Sequence, residues 1–152
     1  MWSTIVPKGL VARPRQIFET RFDPTRVADF ATVRDRSHDG AAQIAYARPA
    51  PRFHAEAPEP RAGLRGGHIP NSANLPVSLL TDNGQMRPAA ELSQLFADRG
   101  IDLSKPLITS CGSGITASTL ALAAQLAGAK AVAVYDGSWA EWGGHQDAEI
   151  EK

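Results

Sequence analysis

Between Leu107 and Gly128 the chain passes from a short run, Leu107-Ile108-Thr109-Ser110, through Cys111-Gly112-Ser113-Gly114 into a segment of Ala and Leu. The pattern predicts a buried strand, a tight loop and a helix over 116–127 that is apolar on several faces and so lies between layers. Pro88 to Arg99 reads as an amphipathic helix with Ala89, Leu92, Leu95 and Phe96 inward, closed by Gly100. Residues 43–47 and 131–135 read as further strands. Asp23-Pro24 is a helix-start signal, with Val27, Phe30 and Ala31 on one apolar face and Gly40 at the end. Ser138 is placed as the cap of a short helical turn carrying Trp139 and Trp142. Strands alternating with helices imply an α/β fold, a mainly parallel central sheet flanked by helices, with ligands at the carboxyl ends of strands. Cys111 falls at such an end.

The 152 residues suit one domain with a substantial core. Residues 1–22, with Pro7, Gly9 and Pro14 and no period, read as an N-terminal arm or linker, and 146–152 as a C-terminal tail. Residues 48–70 form a Pro- and Gly-rich loop with four arginines, and long irregular segments inside domains are usually functional. Sixteen basic and sixteen acidic side chains cancel, so bulk charge points to neither nucleic acid nor a membrane surface, and any arginine role is local. One cysteine excludes an internal disulfide and fits a reducing compartment. Pro7 and Lys8 interrupt the only apolar N-terminal stretch, and no run nears the roughly 20 residues of a membrane span, so a cytoplasmic location is expected.

Cys111 carries the candidate chemistry. Most lone cysteines pack as small hydrophobes. A loop leading from a strand into a helix N-terminus instead turns several free N–H groups inward, which lowers a cysteine pKa from about 8.5 to roughly 3.5–7.5. Gly112 and Gly114 supply the backbone freedom such a ring of donors needs. That context favours a nucleophile. His38, His54 and His145 lack partners at ligand spacing, so neither metal nor cofactor is expected.

Three motifs carry a resemblance. Cys111-Gly112-Ser113-Gly114-Ile115-Thr116-Ala117 resembles the active-site loop of the rhodanese superfamily, and within it that of the 3-mercaptopyruvate sulfurtransferases. Arg61 to Pro70 followed by Ala73-Asn74-Leu75-Pro76 resembles the family's segment before the second core strand, and Tyr135 to Gly143 its closing motif. They span residues 23–145 in the family's order, which implies a rhodanese-like three-layer fold over that stretch. The resemblance further implies sulfur transfer through a persulfide on Cys111, stabilised by the N–H groups of Gly112, Ser113, Gly114, Ile115 and Thr116. The family holds a substrate carboxylate with two arginines nine residues apart. Arg52 in Pro51-Arg52-Phe53 and Arg61 in Pro58-Glu59-Pro60-Arg61 match that spacing, and a guanidinium fork suits a planar carboxylate. Ser113 is then expected near the leaving group or as a shaper of the loop, Thr116 as a helix cap, and His68 as structural.

The uncharged Gly112 and Ser113 favour a monoanionic 3-mercapto acid, since thiosulfate sulfurtransferases carry basic residues there. Ala117 stands where a cysteine phosphatase needs arginine. Two departures stand out: Tyr46 replaces the family's aspartate in Ala45-Tyr46-Ala47-Arg48, and Pro51 replaces a glycine. In two-domain relatives an N-terminal rhodanese domain covers the active site. Three readings follow: a 3-mercaptopyruvate sulfurtransferase passing sulfur to a thiol or cyanide and releasing pyruvate, a thiosulfate sulfurtransferase, or a sulfur-carrier module that acts only with a partner.

Overall fold

Two aspartates compete to start the first helix, and the second wins. In the computed structural model, which describes residues 15–152, Asp23 caps only a single 3-10 turn, Pro24–Arg26. The chain then extends as β1 (Val27–Ala28), and Asp29 caps α1 (Phe30–Asp39) by accepting the Thr32 N–H at 2.9 Å. The expected helix start at Asp23 is therefore corrected. Val27 and Ala28 add to the sheet edge beside Val134 and Tyr135, and that pairing overrides the local cap signal. Gly40 ends α1 in the left-handed conformation, as its position suggested. Of the expected arm, residues 1–14 lie outside the described residues, and 15–22 run without regular structure, exposing Ile17, Phe18 and Phe22.

The remaining elements are β2 (Gln43–Tyr46), α2 (Ala50–Phe53), β3 (Ser72–Asn74), a second 3-10 turn (Val77–Leu79), the hairpin β4 (Thr81–Asp82) and β5 (Gln85–Met86), α3 (Ala89–Ala97), β6 (Leu107–Ser110), α4 (Ile115–Leu126), β7 (Val132–Tyr135) and α5 (Ser138–Trp142). The main sheet has the order β1-β7-β6-β2-β3 with every pairing parallel. The chain thus has the α/β fold with a parallel central sheet flanked by helices.

Strand alternation decides which layer each residue joins. Ala45, Leu107 and Val132 face a core built with Leu92 and Phe96 of α3 and Leu120, Ala123 and Ala124 of α4. Ile44, Tyr46, Ile108 and Tyr135 face the other, with Val33 of α1 and Trp139 and Trp142 of α5. The small residues of α4 let it lie close to both the sheet and α3, which explains its weak amphipathicity. Residues 146–152, expected as a tail, pack on the domain. Ala148 is buried, Trp142 Nε1 donates to the Glu149 carbonyl at 2.8 Å, and Glu151 exchanges backbone hydrogen bonds with His68. Among the described residues no helix is long and apolar enough to cross a membrane.

Candidate active site

Cys111 lies directly after β6, at the carboxyl edge of the sheet, and is only 1% exposed. The chain turns so tightly that the N–H groups of Ser113 and Gly114 point back at Sγ, 3.4 and 3.1 Å away. Gly114 makes this possible. Its φ is +85°, and a Cβ there would stand 2.7 Å from the Asp136 carbonyl oxygen, so no other residue fits without displacing the backbone. Gly114 also occupies the N-cap of α4, which corrects the expectation that Thr116 caps it. Burial pushes the Cys111 thiol pKa up, but the Thr116 hydroxyl, the Ser113 and Ala117 N–H groups and the Ser138 hydroxyl outweigh it and hold the thiol below its ordinary value.

The loop is fastened from α5. Trp139 and Ala140 donate their N–H groups to the Cys111 and Gly112 carbonyls at 3.0 and 2.9 Å. Ser138 is not the cap of α5, since that place belongs to Gly137. It sits at a strained φ of +48°, donates to the Tyr135 carbonyl at 2.8 Å and accepts the Cys111 N–H at 3.1 Å. Tyr135, locked by its own hydrogen bond to Glu141 at 2.8 Å, fixes that carbonyl in turn.

Arg52, Arg61, Gly112 and Ser113 line one cleft of about 230 Å³, together with Glu59, Pro60 and Leu64. The arginine loop and the cysteine loop therefore meet, although Arg61 and Gly112 are 51 positions apart in sequence. Arg52 is half-buried, whereas Arg61 and Ser113 are exposed. Ile115 is 75% exposed, so only its backbone belongs to the loop. A larger cleft of about 510 Å³ opens at the opposite ends of β6 and β7, between Arg26, Leu107 and Lys130, but no cysteine or histidine lines it. Among the described residues no three His, Cys, Asp or Glu side chains gather as a metal site.

Sequence reasoning gave Arg48, Glu59 and Ser138 no role in the site. Arg48 is 2% exposed and pairs with Glu59 and the Gly67 carbonyl, its guanidinium held between the rings of Tyr46 and Trp139 at 4.9 and 4.5 Å. The one signal in the sequence is that Arg48 follows a buried strand, where an unpaired charge could not stay. His68, expected to be structural, is buried with Nδ1 2.9 Å from the Phe53 carbonyl and its ring stacked on Phe53.

The parallel sheet carries a cysteine cradled by backbone donors at its carboxyl edge, and the chain belongs to the rhodanese family: the rhodanese-like domain matches residues 29–145. Among individual proteins, the chain is 42% identical over 147 residues to the 3-mercaptopyruvate sulfurtransferase of Escherichia coli K12, an alignment covering 97% of this chain and 52% of that one. It is 40% identical to the thiosulfate sulfurtransferase of Gallus gallus over 88% of this chain and 47% of that one. The crystal structure of SseA from Escherichia coli, a 3-mercaptopyruvate sulfotransferase with the rhodanese fold, superposes with a TM-score of 0.73 at 41% identity, covering 86% of this chain and 48% of that one. The chain spans about half the length of these relatives.

Proposed function

We propose that the chain moves sulfur from 3-mercaptopyruvate through a persulfide on Cys111. The observation that carries this reading is the meeting of two devices. Backbone donors hold the Cys111 sulfur as a nucleophile, and Arg52 and Arg61 line a cleft shared with Gly112 and Ser113. The arginines receive the substrate carboxylate and turn its thiol sulfur toward Cys111. The Cys111 thiolate attacks that sulfur, the carbon–sulfur bond breaks, and its electron pair remains on carbon as the enolate of pyruvate. The enolate takes up the proton lost by the substrate thiol, and pyruvate leaves. The negative charge now rests on the outer sulfur of Cys111, where the N–H groups of residues 112–116 stabilise it. A thiolate or cyanide then attacks that outer sulfur, the sulfur–sulfur bond breaks, and the Cys111 thiolate returns. Ser113, exposed at the cleft, hydrogen-bonds the substrate's carbonyl or thiol in this reading. Catalysis requires no cofactor. The reduced, single cysteine suits the cytoplasm.

A second reading is supported by length. Because relatives are about twice as long, and because Arg61 and Ser113 are exposed, the cleft can require a covering domain or partner before it turns over.

The test is to incubate the chain with 3-mercaptopyruvate and, separately, with thiosulfate, and to record intact mass and released pyruvate. A gain of one sulfur with equimolar pyruvate, absent in Cys111→Ser, is the expected result. Faster loading from thiosulfate would reassign the donor. Loading only after a partner domain is added would select the second reading, and no loading under any condition would overturn the proposal.

A further inference from the structure

Arg48 donates to neither Cys111 nor the cleft, yet it is bonded to one of the loops that the proposed chemistry uses and lies close to the other. Its guanidinium pairs with Glu59, two residues before Arg61, and with the Gly67 carbonyl at the far end of the same loop. Its aliphatic stem runs under the cysteine loop, where a Cβ on Gly112 would stand 3.9 Å from Arg48 Cδ. The Arg48 carbonyl accepts the Asn74 side-chain amide at 2.8 Å, which ties its backbone to β3. Trp139 closes the other side. Its ring covers the guanidinium, its Nε1 donates to the Arg65 carbonyl at 2.9 Å, and its N–H holds the Cys111 carbonyl.

The pair is almost fully enclosed, with Arg48 and Glu59 side chains 2% and 5% exposed. Buried ion pairs add little net stability compared with apolar residues of the same volume, so stability alone is a weak reason to keep one here. Geometry offers a better one. An arginine fork fixes direction as well as distance, and this fork is set in a cage of two rings. Glu59 itself lines the cleft, two positions before Arg61.

We infer that Arg48, anchored by Glu59, is a positioning residue that sets the separation between the Cys111 loop and the Arg52–Arg61 pair, and thereby how well a 2-oxo-acid carboxylate is received. The inference rests on the carboxylate role proposed above for those two arginines. Charge and position make opposite predictions for Glu59. Were its negative charge the important feature, removing it would tighten the binding of an anion. If its anchoring matters, removing it loosens that binding.

The experiment measures alkylation of Cys111 by iodoacetamide in the full chain, with pyruvate as the protecting ligand. The half-protecting pyruvate concentration is taken against each variant's own unprotected rate. Glu59→Ala is expected to raise that concentration by about tenfold or more, the scale on which small misplacements act. Glu59→Gln, which keeps the length and an acceptor oxygen, should stay within about threefold of wild type, because the fork retains a partner. A folded Glu59→Ala chain with unchanged or lowered half-protection overturns the inference, as does a wild type that pyruvate does not protect. Should Glu59→Ala fail to fold, Arg48→Lys, which keeps the charge and loses the fork, takes its place with the same expected rise, and no rise overturns it. A wild type protected by pyruvate but never loaded by 3-mercaptopyruvate defeats the proposed sulfur transfer and leaves the positioning role open to this same measurement.

Discussion

The Ser138 hydroxyl oxygen accepts the Cys111 N–H at 3.1 Å and lies 3.9 Å from the Cys111 sulfur, so one side chain of α5 meets both the backbone and the sulfur of the cysteine. Ser138→Ala leaves the buried Cys111 N–H without its acceptor, a loss of about 1–3 kcal/mol. The same change removes a group that lowers the thiol pKa, so the pH midpoint of iodoacetamide alkylation moves up. Ser138→Gly relieves the strained φ but not the missing hydroxyl. Denaturant unfolding should therefore find it more stable than Ser138→Ala, with the same raised midpoint.

Thr116 allows the sign of the pH dependence to be worked out. The thiol pKa in the folded chain is depressed, and the Thr116 hydroxyl is the leading group that depresses it against burial. Stability linked to Cys111 is therefore fully present above the unfolded value of about 8.5, and is lost as pH falls through the lower folded value. Thr116→Val raises the folded value. The alkylation profile should shift to higher pH, and the stability advantage over Cys111→Ser between the two values should shrink. An unshifted profile would show that the hydroxyl does not act on the sulfur.

At Gly114, substitution by alanine meets both a φ of +85° and a carbonyl oxygen 2.7 Å from the new Cβ. The strained conformation alone costs about 1–3 kcal/mol, and relieving the clash turns the Gly114 N–H away from Sγ. Thermal unfolding should report a lower Tm, and alkylation at neutral pH should slow. Gly128→Ala supplies the control, because its φ is also positive but its surroundings are open and far from the cysteine.

Tyr46 predicts the opposite kind of result. Its hydroxyl is buried without a hydrogen-bond partner among the described residues, and burial pushes its pKa well above the ordinary phenol value. Tyr46→Phe removes that unsatisfied group while keeping the ring against Trp139, Phe53 and the Arg48 guanidinium. The change should be neutral or stabilising by up to about 1 kcal/mol in urea unfolding. A destabilisation larger than that would mean the hydroxyl is engaged, with Ser110, its cross-strand neighbour, the available partner.

Local chemistry made much of the chain legible. The strand, glycine loop and helix around Cys111 follow from short-range signals, and so do α3 and the end of α1, because hydrophobic period and caps act within a few residues. The hairpin at Asn83-Gly84 carries a recognisable turn pair, both residues with positive φ, yet its two-residue strands have no period to detect. The same brevity hid β1 and β3.

The sequence by itself determined the place of Cys111 after a strand, the glycine loop that turns backbone donors onto its sulfur and the parallel α/β class, each set by backbone preferences and side-chain period near the residues concerned. Only the tertiary structure decided that Asp23 would lose the helix start to a strand at the sheet edge, and that Glu151 would pair with His68. Tertiary structure also decided that Arg48 would be buried between two rings to meet Glu59, and that Ser138 would reach back to Cys111. Those arrangements join residues 11 and 27 positions apart by desolvation and hydrogen bonding. Such forces arise once the sheet and its layers have assembled and leave no periodic trace along the chain.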